Sequence, residues 1–204
     1  PVAQDAGEVA LEFELDRAEQ DGWGLRSQKR WAAADEEGKY KVGEEIMALE
    51  IPQRKGDPIM FDRDEPPRKT TLEKLGKLRT IYGSPTVTAG NAPGMNAGGS
   101  AMVIMSRKKA DKLGLEPLAT IETMAWDAAE PPHTATLPAK ANNTALAKPN
   151  KCIDDLDLIE ITEAFAAAAL VSLKALAERD TQKYNALQEI TNVNGGAIAV
   201  GHPV

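Results

Sequence analysis

The chain has 204 residues, of which 42% are apolar, 27% charged and only 4% aromatic, the balance of a soluble globular protein with one large domain or two small ones. Its formal charge is −7, from 31 acidic and 24 basic residues, so a nucleic-acid partner is not expected. One cysteine, Cys152, excludes an intrachain disulfide and implies a reducing compartment.

No apolar run is long enough to cross a membrane, and "PVAQDAGEVA" has no basic-then-apolar order of a secretory signal. The missing initiator Met is read as a start lying elsewhere. Two basic clusters, "RSQKR" at 26–30 and "SRKKADK" at 106–112, read either as solvated helix faces or as landing sites for a small anion.

In chain order, the first forty residues predict helices. Asp16 with Glu19 three positions on forms a capping box, and Trp23, Leu25 and Trp31 form the buried stripe. Residues 46–51 predict a strand, Gly56-Asp57-Pro58 a turn, "IMF" a second short strand, and a helix starts after Thr70 or Thr71. Four glycines, Gly90, Gly94, Gly98 and Gly99, punctuate a loop before a predicted buried strand at 101–105. Their spacing matches neither a dinucleotide fingerprint nor a phosphate-binding loop. A short helix then ends at Gly114.

Residues 116–126 predict a strand, 137–147 a helix and 156–161 a strand. The Ala-rich segment after Thr162 predicts a helix with Thr162 as its N-cap. "VNGGAIAVG" predicts another buried strand, leading to His202. Strands alternating with helices from about residue 86 on imply an α/β layer architecture.

The candidate chemistry is narrow. There are two histidines, no His-Glu-x-x-His or Cys-x-x-Cys spacing and no Gly-x-Ser-x-Gly elbow, so neither a zinc site nor a hydrolase triad is expected. His133 follows two prolines and reads as an exposed bystander. Asp154, Asp155 and Asp157 read as a solvated edge. His202 lies between Gly201 and Pro203, where a flexible residue and a rigid one fix a close approach. On pattern alone it is either catalytic or structural.

Three ordered segments settle a resemblance. "NVNGGAIAVGHPV" resembles the Gly-His-Pro signature of thiolases. "LIEITEAFAAA" is similar to their Asn-Glu-Ala-Phe-Ala segment, and "TVTAGNAPGMNAGGSAMVIMS" to their Thr-Ala-Gly-Asn-Ala-Ser-Gly segment. "EQDGW", "IPQRKGDP" and "TTLEKLGKL" also resemble thiolases of the acetyl-CoA acetyltransferase type, so the likeness runs through nearly the whole chain.

The resemblance implies a layered αβαβα fold, present in part, with an α+β loop domain. It assigns 1–85 to the later part of that loop domain, 86–115 to the end of the N-terminal half and 116–204 to an incomplete C-terminal half. It implies reversible Claisen chemistry on acyl-CoA thioesters through a cysteine acyl-enzyme, with coenzyme A as cosubstrate, no metal or other cofactor, a homodimer or homotetramer, and a cytoplasmic location with an organelle also open. His202 matches the catalytic histidine. Thr162 takes the place of the asparagine that holds an oxyanion-site water. Ala164 and Phe165 match residues lining the acyl and pantetheine tunnel; Ala89 and Pro93 match the loop that contacts the pantetheine arm, Pro93 replacing a serine. Cys152 matches neither catalytic cysteine and reads as a packing or surface thiol. The other readings are a non-catalytic thiolase-like module that binds acyl-CoA or lipid, and a plain α/β domain without a site.

Overall fold

The computed structural model describes residues 1–203. Two helices open the chain, α1 (Val2–Glu12) and α2 (Arg17–Glu36). The capping box forms as expected: the Asp16 carboxylate accepts from the Glu19 amide at 2.8 Å, and Glu19 accepts from the Asp16 amide at 3.1 Å. These bonds satisfy donors that a helix N-terminus leaves orphaned. An antiparallel hairpin follows, β1 (Leu49–Ile51) with β2 (Ile59–Phe61), pairing Leu49 with Phe61. The predicted strand at 46–51 is therefore shorter. Helix α3 (Leu72–Gly76) is capped by Thr71, and α4 (Arg107–Leu113) stops at Gly114, whose φ of 66° is the left-handed C-terminal geometry.

A 3₁₀ turn at His133–Thr136 leads into α5 (Leu137–Ala147); a second, at Ile153–Asp155, precedes α6 (Ala166–Leu176), α7 (Thr181–Ile190) and the four-residue α8 (Ala197–Val200). Helix α6 is the centre of the core. Ala166, Ala167, Ala169, Leu170, Val171 and Leu173 are all buried, and a helix apolar on every side has to lie inside. It packs against α1, α2, α5 and α7. Small residues on both partners let the axes approach closely: Ala6 and Ala10 of α1 are also buried in this cluster.

Several expected strands take other forms. Residues 101–105 and 116–126 are not strands. They are mostly exposed, Val103 at 85% and Trp126 at 79%, and no described residue offers them a ladder partner. Residues 156–161 reduce to one parallel bridge, Ile159 with Thr191. The "AIAV" segment is α8 rather than a strand, because Gly196 in extended geometry turns the chain into a helical register closed by the Gly201 amide on the Ala197 carbonyl at 2.7 Å. Thr162 does not cap α6. Phe165 holds that position, extended, and the Ala166 amide donates to the Asn91 carbonyl at 2.9 Å. His133 is exposed as expected, and so is Cys152.

Candidate active site

Three segments converge on His202: the Gly-rich loop, the extended stretch 159–165, and α8. Each is held by side chains of α2.

Asn91 is the pivot of the Gly-rich loop and is fully buried. Its Oδ1 accepts from the Thr88 amide at 2.8 Å, and its Nδ2 donates to the Thr86 carbonyl at 3.1 Å and to Asp21 Oδ1 at 2.9 Å. Arg17 holds Asp21 at 2.7 Å and also donates to the Leu75 and Leu78 carbonyls. Buried polar groups need such partners, and these fasten the loop to α2. A Cβ on Gly24 of α2 would meet the Gly90 carbonyl oxygen at 2.6 Å, so the contact requires glycine.

Among the residues expected from the sequence, Ala89 is exposed and its carbonyl accepts from Arg68 Nη2 at 2.8 Å. Pro93 is half-buried. The Asn91–Ala166 backbone bond draws this loop to Ala164 and Phe165, which are half-buried, Phe165 touching both apolar clusters.

Residues 159–163 alternate inward and outward. Ile159, Ile161 and Glu163 are buried, while Glu160 and Thr162 face out, the period of extended backbone. Thr162 is thus presented to solvent beside a buried carboxylate. Asn192 straddles the same stretch: its Oδ1 accepts from the Ile161 amide at 2.8 Å and its Nδ2 donates to the Ile161 carbonyl at 2.9 Å.

His202 does not sit at the end of a strand. It follows α8 and makes one parallel bridge with Met95, its amide donating to the Gly94 carbonyl at 3.0 Å. The residue is half-buried, so its imidazole is not sealed in apolar packing. Its neighbours Gly201 and Pro203 line a cavity of about 380 Å³ with Asp64, Asn96, Gly98 and Val200. Gly201 has a φ of 99°, and a Cβ there would lie 2.1 Å from Asn96 Oδ1. The structure therefore brings His202, Pro93, Ala164 and Phe165 onto adjoining segments, with Thr162 on the same extended stretch. Ala89 lies further along the loop.

Sequence reasoning did not single out Glu163, Asn192, Asn91 or Arg68. For Glu163 a signal existed: two positions beyond Ile161 on an alternating segment, it falls on the buried face.

Electrostatics at the rim are set by burial. Partial burial, then the neighbouring Arg30 charge, lowers the Arg26 guanidinium to about 10. It remains a cation at neutral pH and donates to the Gln188 and Thr191 carbonyls, which anchors the end of α7. Although Glu160 faces out, partial desolvation of its carboxyl, then the charge of Glu163, raises it above its ordinary 4.5. The fold then binds that proton more tightly than the unfolded chain does. The charge on Glu160 costs stability at neutral pH, and the cost fades as pH falls through the raised value. Glu160→Gln is expected to raise the thermal midpoint at pH 7, with the gain shrinking as the pH is lowered towards 4.5. A gain independent of pH would reject this origin.

The N-terminal thiolase domain family matches residues 1–108, and the C-terminal thiolase domain family matches residues 115–204. The chain belongs to the thiolase family. It is 44% identical over 201 residues to an acetyl-CoA acetyltransferase of Chromobacterium violaceum, covering 98% of this chain and 49% of that protein. A Syntrophomonas wolfei acetyl-CoA acetyltransferase is 42% identical, over 94% of this chain and 46% of its own length. Among solved structures, the Bacillus anthracis acetyl-CoA acetyltransferase superposes with a TM-score of 0.89 at 36% identity, over 99% of this chain and 49% of that one. Human mitochondrial 3-ketoacyl-CoA thiolase gives 0.86 at 35% identity, over 100% and 49%. The fold is that of the thiolases, and this thiolase chain spans about half the length of the relatives it matches. No helix among its described residues is long and apolar enough to cross a membrane.

Proposed function

We propose that the full-length protein is a thiolase that cleaves 3-ketoacyl-CoA with coenzyme A, or condenses two acetyl-CoA to acetoacetyl-CoA in reverse. The observation that carries this reading is the bond from the His202 amide to the Gly94 carbonyl, which seats the family's histidine against the Gly-rich loop in a chain of thiolase fold. In the thiolytic direction His202 takes the proton of an attacking thiol, the thiolate adds to the 3-keto carbon, and the bond between C2 and C3 breaks. Acetyl-CoA leaves after its C2 carbanion is protonated, and the coenzyme A thiol then accepts the acyl group. Thr162, turned outward next to Glu163 in the chain, holds the water that donates to the developing oxyanion. The half-buried Pro93, Ala164 and Phe165, with Ala89 beyond them, form an apolar wall for a pantetheine arm.

On this reading both reacting thiols come from polypeptide outside this chain, because Cys152 is exposed, with its amide bound to Asp155 at 2.8 Å at the start of a 3₁₀ turn. Residues 1–85 belong to the loop domain, 86–115 to the end of the N-terminal half and 116–204 to the C-terminal half. The exposed segments 101–105 and 116–126 gain strand partners in the complete protein. Coenzyme A is the cosubstrate, no metal takes part, and a cytoplasmic homodimer or homotetramer is the working assembly.

Thiolysis of acetoacetyl-CoA, followed by loss of its enolate absorbance, is expected from the full-length protein and not from the 204 residues alone. Turnover by the isolated segment would overturn the assignment of the thiols. Acyl-CoA binding by the full-length protein without turnover of any 3-ketoacyl-CoA would favour a non-catalytic binding module instead.

A further inference from the structure

Glu163 is the most completely buried acid in the molecule's centre, at 0% exposure, and from the extended stretch it reaches α2, Asn192 and α8. Its Oε1 accepts from Trp23 Nε1 at 2.9 Å and from Asn192 Nδ2 at 3.1 Å. Its Oε2 accepts from the Ser27 hydroxyl at 2.6 Å and from the Ile198 amide at 3.0 Å. Ser27 Oγ in turn accepts from the Gly196 amide at 3.1 Å. A carboxylate offers about four lone-pair sites, and here four neutral donors fill them. Burying such a group is costly, and an apolar residue would fill the space without that cost. The bonds therefore point to a task of alignment.

The two ends of the network define the task. Glu163 adjoins Thr162 in the chain, while Ile198 and Gly196 begin the helix that delivers Gly201 and His202. A Cβ on Gly196 would lie 2.6 Å from Glu163 Cδ, so the glycine is what lets the carboxylate reach the Ile198 amide. Gln28 Nε2, from the residue after Ser27 in α2, holds the Ile198 carbonyl at 3.1 Å. The N–H of Ile198 is thus pinned by Glu163 and its carbonyl by α2, and α2 is itself bonded to Glu163 through Trp23 and Ser27.

We propose that Glu163 is a positioning residue that sets the spacing between Thr162 and His202, with Ser27 as its relay to α8. The proposal rests on the thiolase reading above. Glu163→Gln keeps the shape but turns one acceptor into a donor. Whichever way the amide lies, it faces a fixed N–H: that of Trp23 on one side, that of Ile198 on the other.

In the full-length protein, Glu163→Gln is expected to lower kcat by about ten- to a hundredfold while KM for acyl-CoA stays within about threefold, as loss of alignment rather than of binding predicts. Ser27→Ala lowers kcat in the same sense but less, and the double variant is no worse than Glu163→Gln alone, because the two act through one link. A fall in thermal midpoint with wild-type kcat per folded site would reduce Glu163 to a structural acid and overturn the proposal. So would additive losses in the double variant. Crystal structures of the wild-type and Glu163→Gln full-length proteins give a readout that needs no turnover. A change in the separation of Thr162 and His202 by about 0.5 Å or more is expected, the tolerance of a working constellation. An unchanged separation sinks the proposal whether or not the protein proves to be a thiolase.

Discussion

His202→Ala in the full-length protein is expected to lower kcat for acetoacetyl-CoA thiolysis on the order of a hundredfold or more, roughly what removal of a general base or an oxyanion donor costs. The fold should survive the change. The side chain is half-buried and lies outside the apolar clusters, while the residue's anchoring bond, amide to Gly94 carbonyl, belongs to the backbone. The comparison that matters is therefore turnover against thermal midpoint. A variant that retains wild-type rates would remove His202 from the chemistry. One that loses rate and midpoint together would place the imidazole in packing instead.

Gly195→Ala is the second large effect, and it acts on stability. Gly195 sits at a φ of 81°, and a Cβ there would lie 2.7 Å from the Ser27 carbonyl oxygen and 2.7 Å from the Trp31 amide nitrogen. Both are backbone atoms of α2 and cannot rotate away. Left-handed geometry costs a non-glycine residue about 1–2 kcal/mol, and forcing a helix and loop apart adds about 1–3 kcal/mol. The sum is about 3 kcal/mol, a sizeable share of a typical domain's stability. Gly38→Ala is the internal reference: its φ is 72°, but no atom lies within 4 Å, so only the dihedral cost of about 1 kcal/mol applies. Denaturant midpoints of the two variants check the difference. Equal losses would mean that the loop yields, and that its approach to α2 is not tight.

The elements that were legible in the sequence are those whose signals are local. Asp16 and Glu19 cap α2 through bonds three residues apart. Ser106 opens α4 and Gly114 closes it, each through its own side chain or dihedral. The misread elements depend on distant partners. The apolar run at 101–105 states correctly what that segment would bury, but a strand also needs a ladder, and no described residue supplies one. "AIAV" has strand-like composition, yet the Ser27 and Glu163 side chains, more than 30 positions away, bind the Gly196 and Ile198 amides and start a helical turn. Thr162 has the right chemistry for a cap, but the in-and-out alternation of 159–163 continues through it.

The site was legible in part and for a related reason. Gly201 and Pro203 mark His202 by local geometry, whereas the groups that aim it are Glu163 and the side chains of α2 that surround it. On α2, Asp21, Ser27 and Gln28 are buried, which no apolar stripe announces. The hydrophobic reading of that helix found Trp23 and Trp31, both buried, and Leu25, which is only half-buried. It passed over the polar residues between them.

Helix α2 meets the rest of the molecule largely through directional bonds: Asp21 to the Gly-rich loop, Ser27 to Glu163, Gln28 to α8, Arg26 and Arg30 to the end of α7. Greasy interfaces tolerate a change of shape; a row of donors matched to acceptors does not. Transplanting this helix alone from a homologue would leave hydroxyls and amides facing the wrong loops, so a working chimera has to exchange the helix and the four segments it addresses as one cassette.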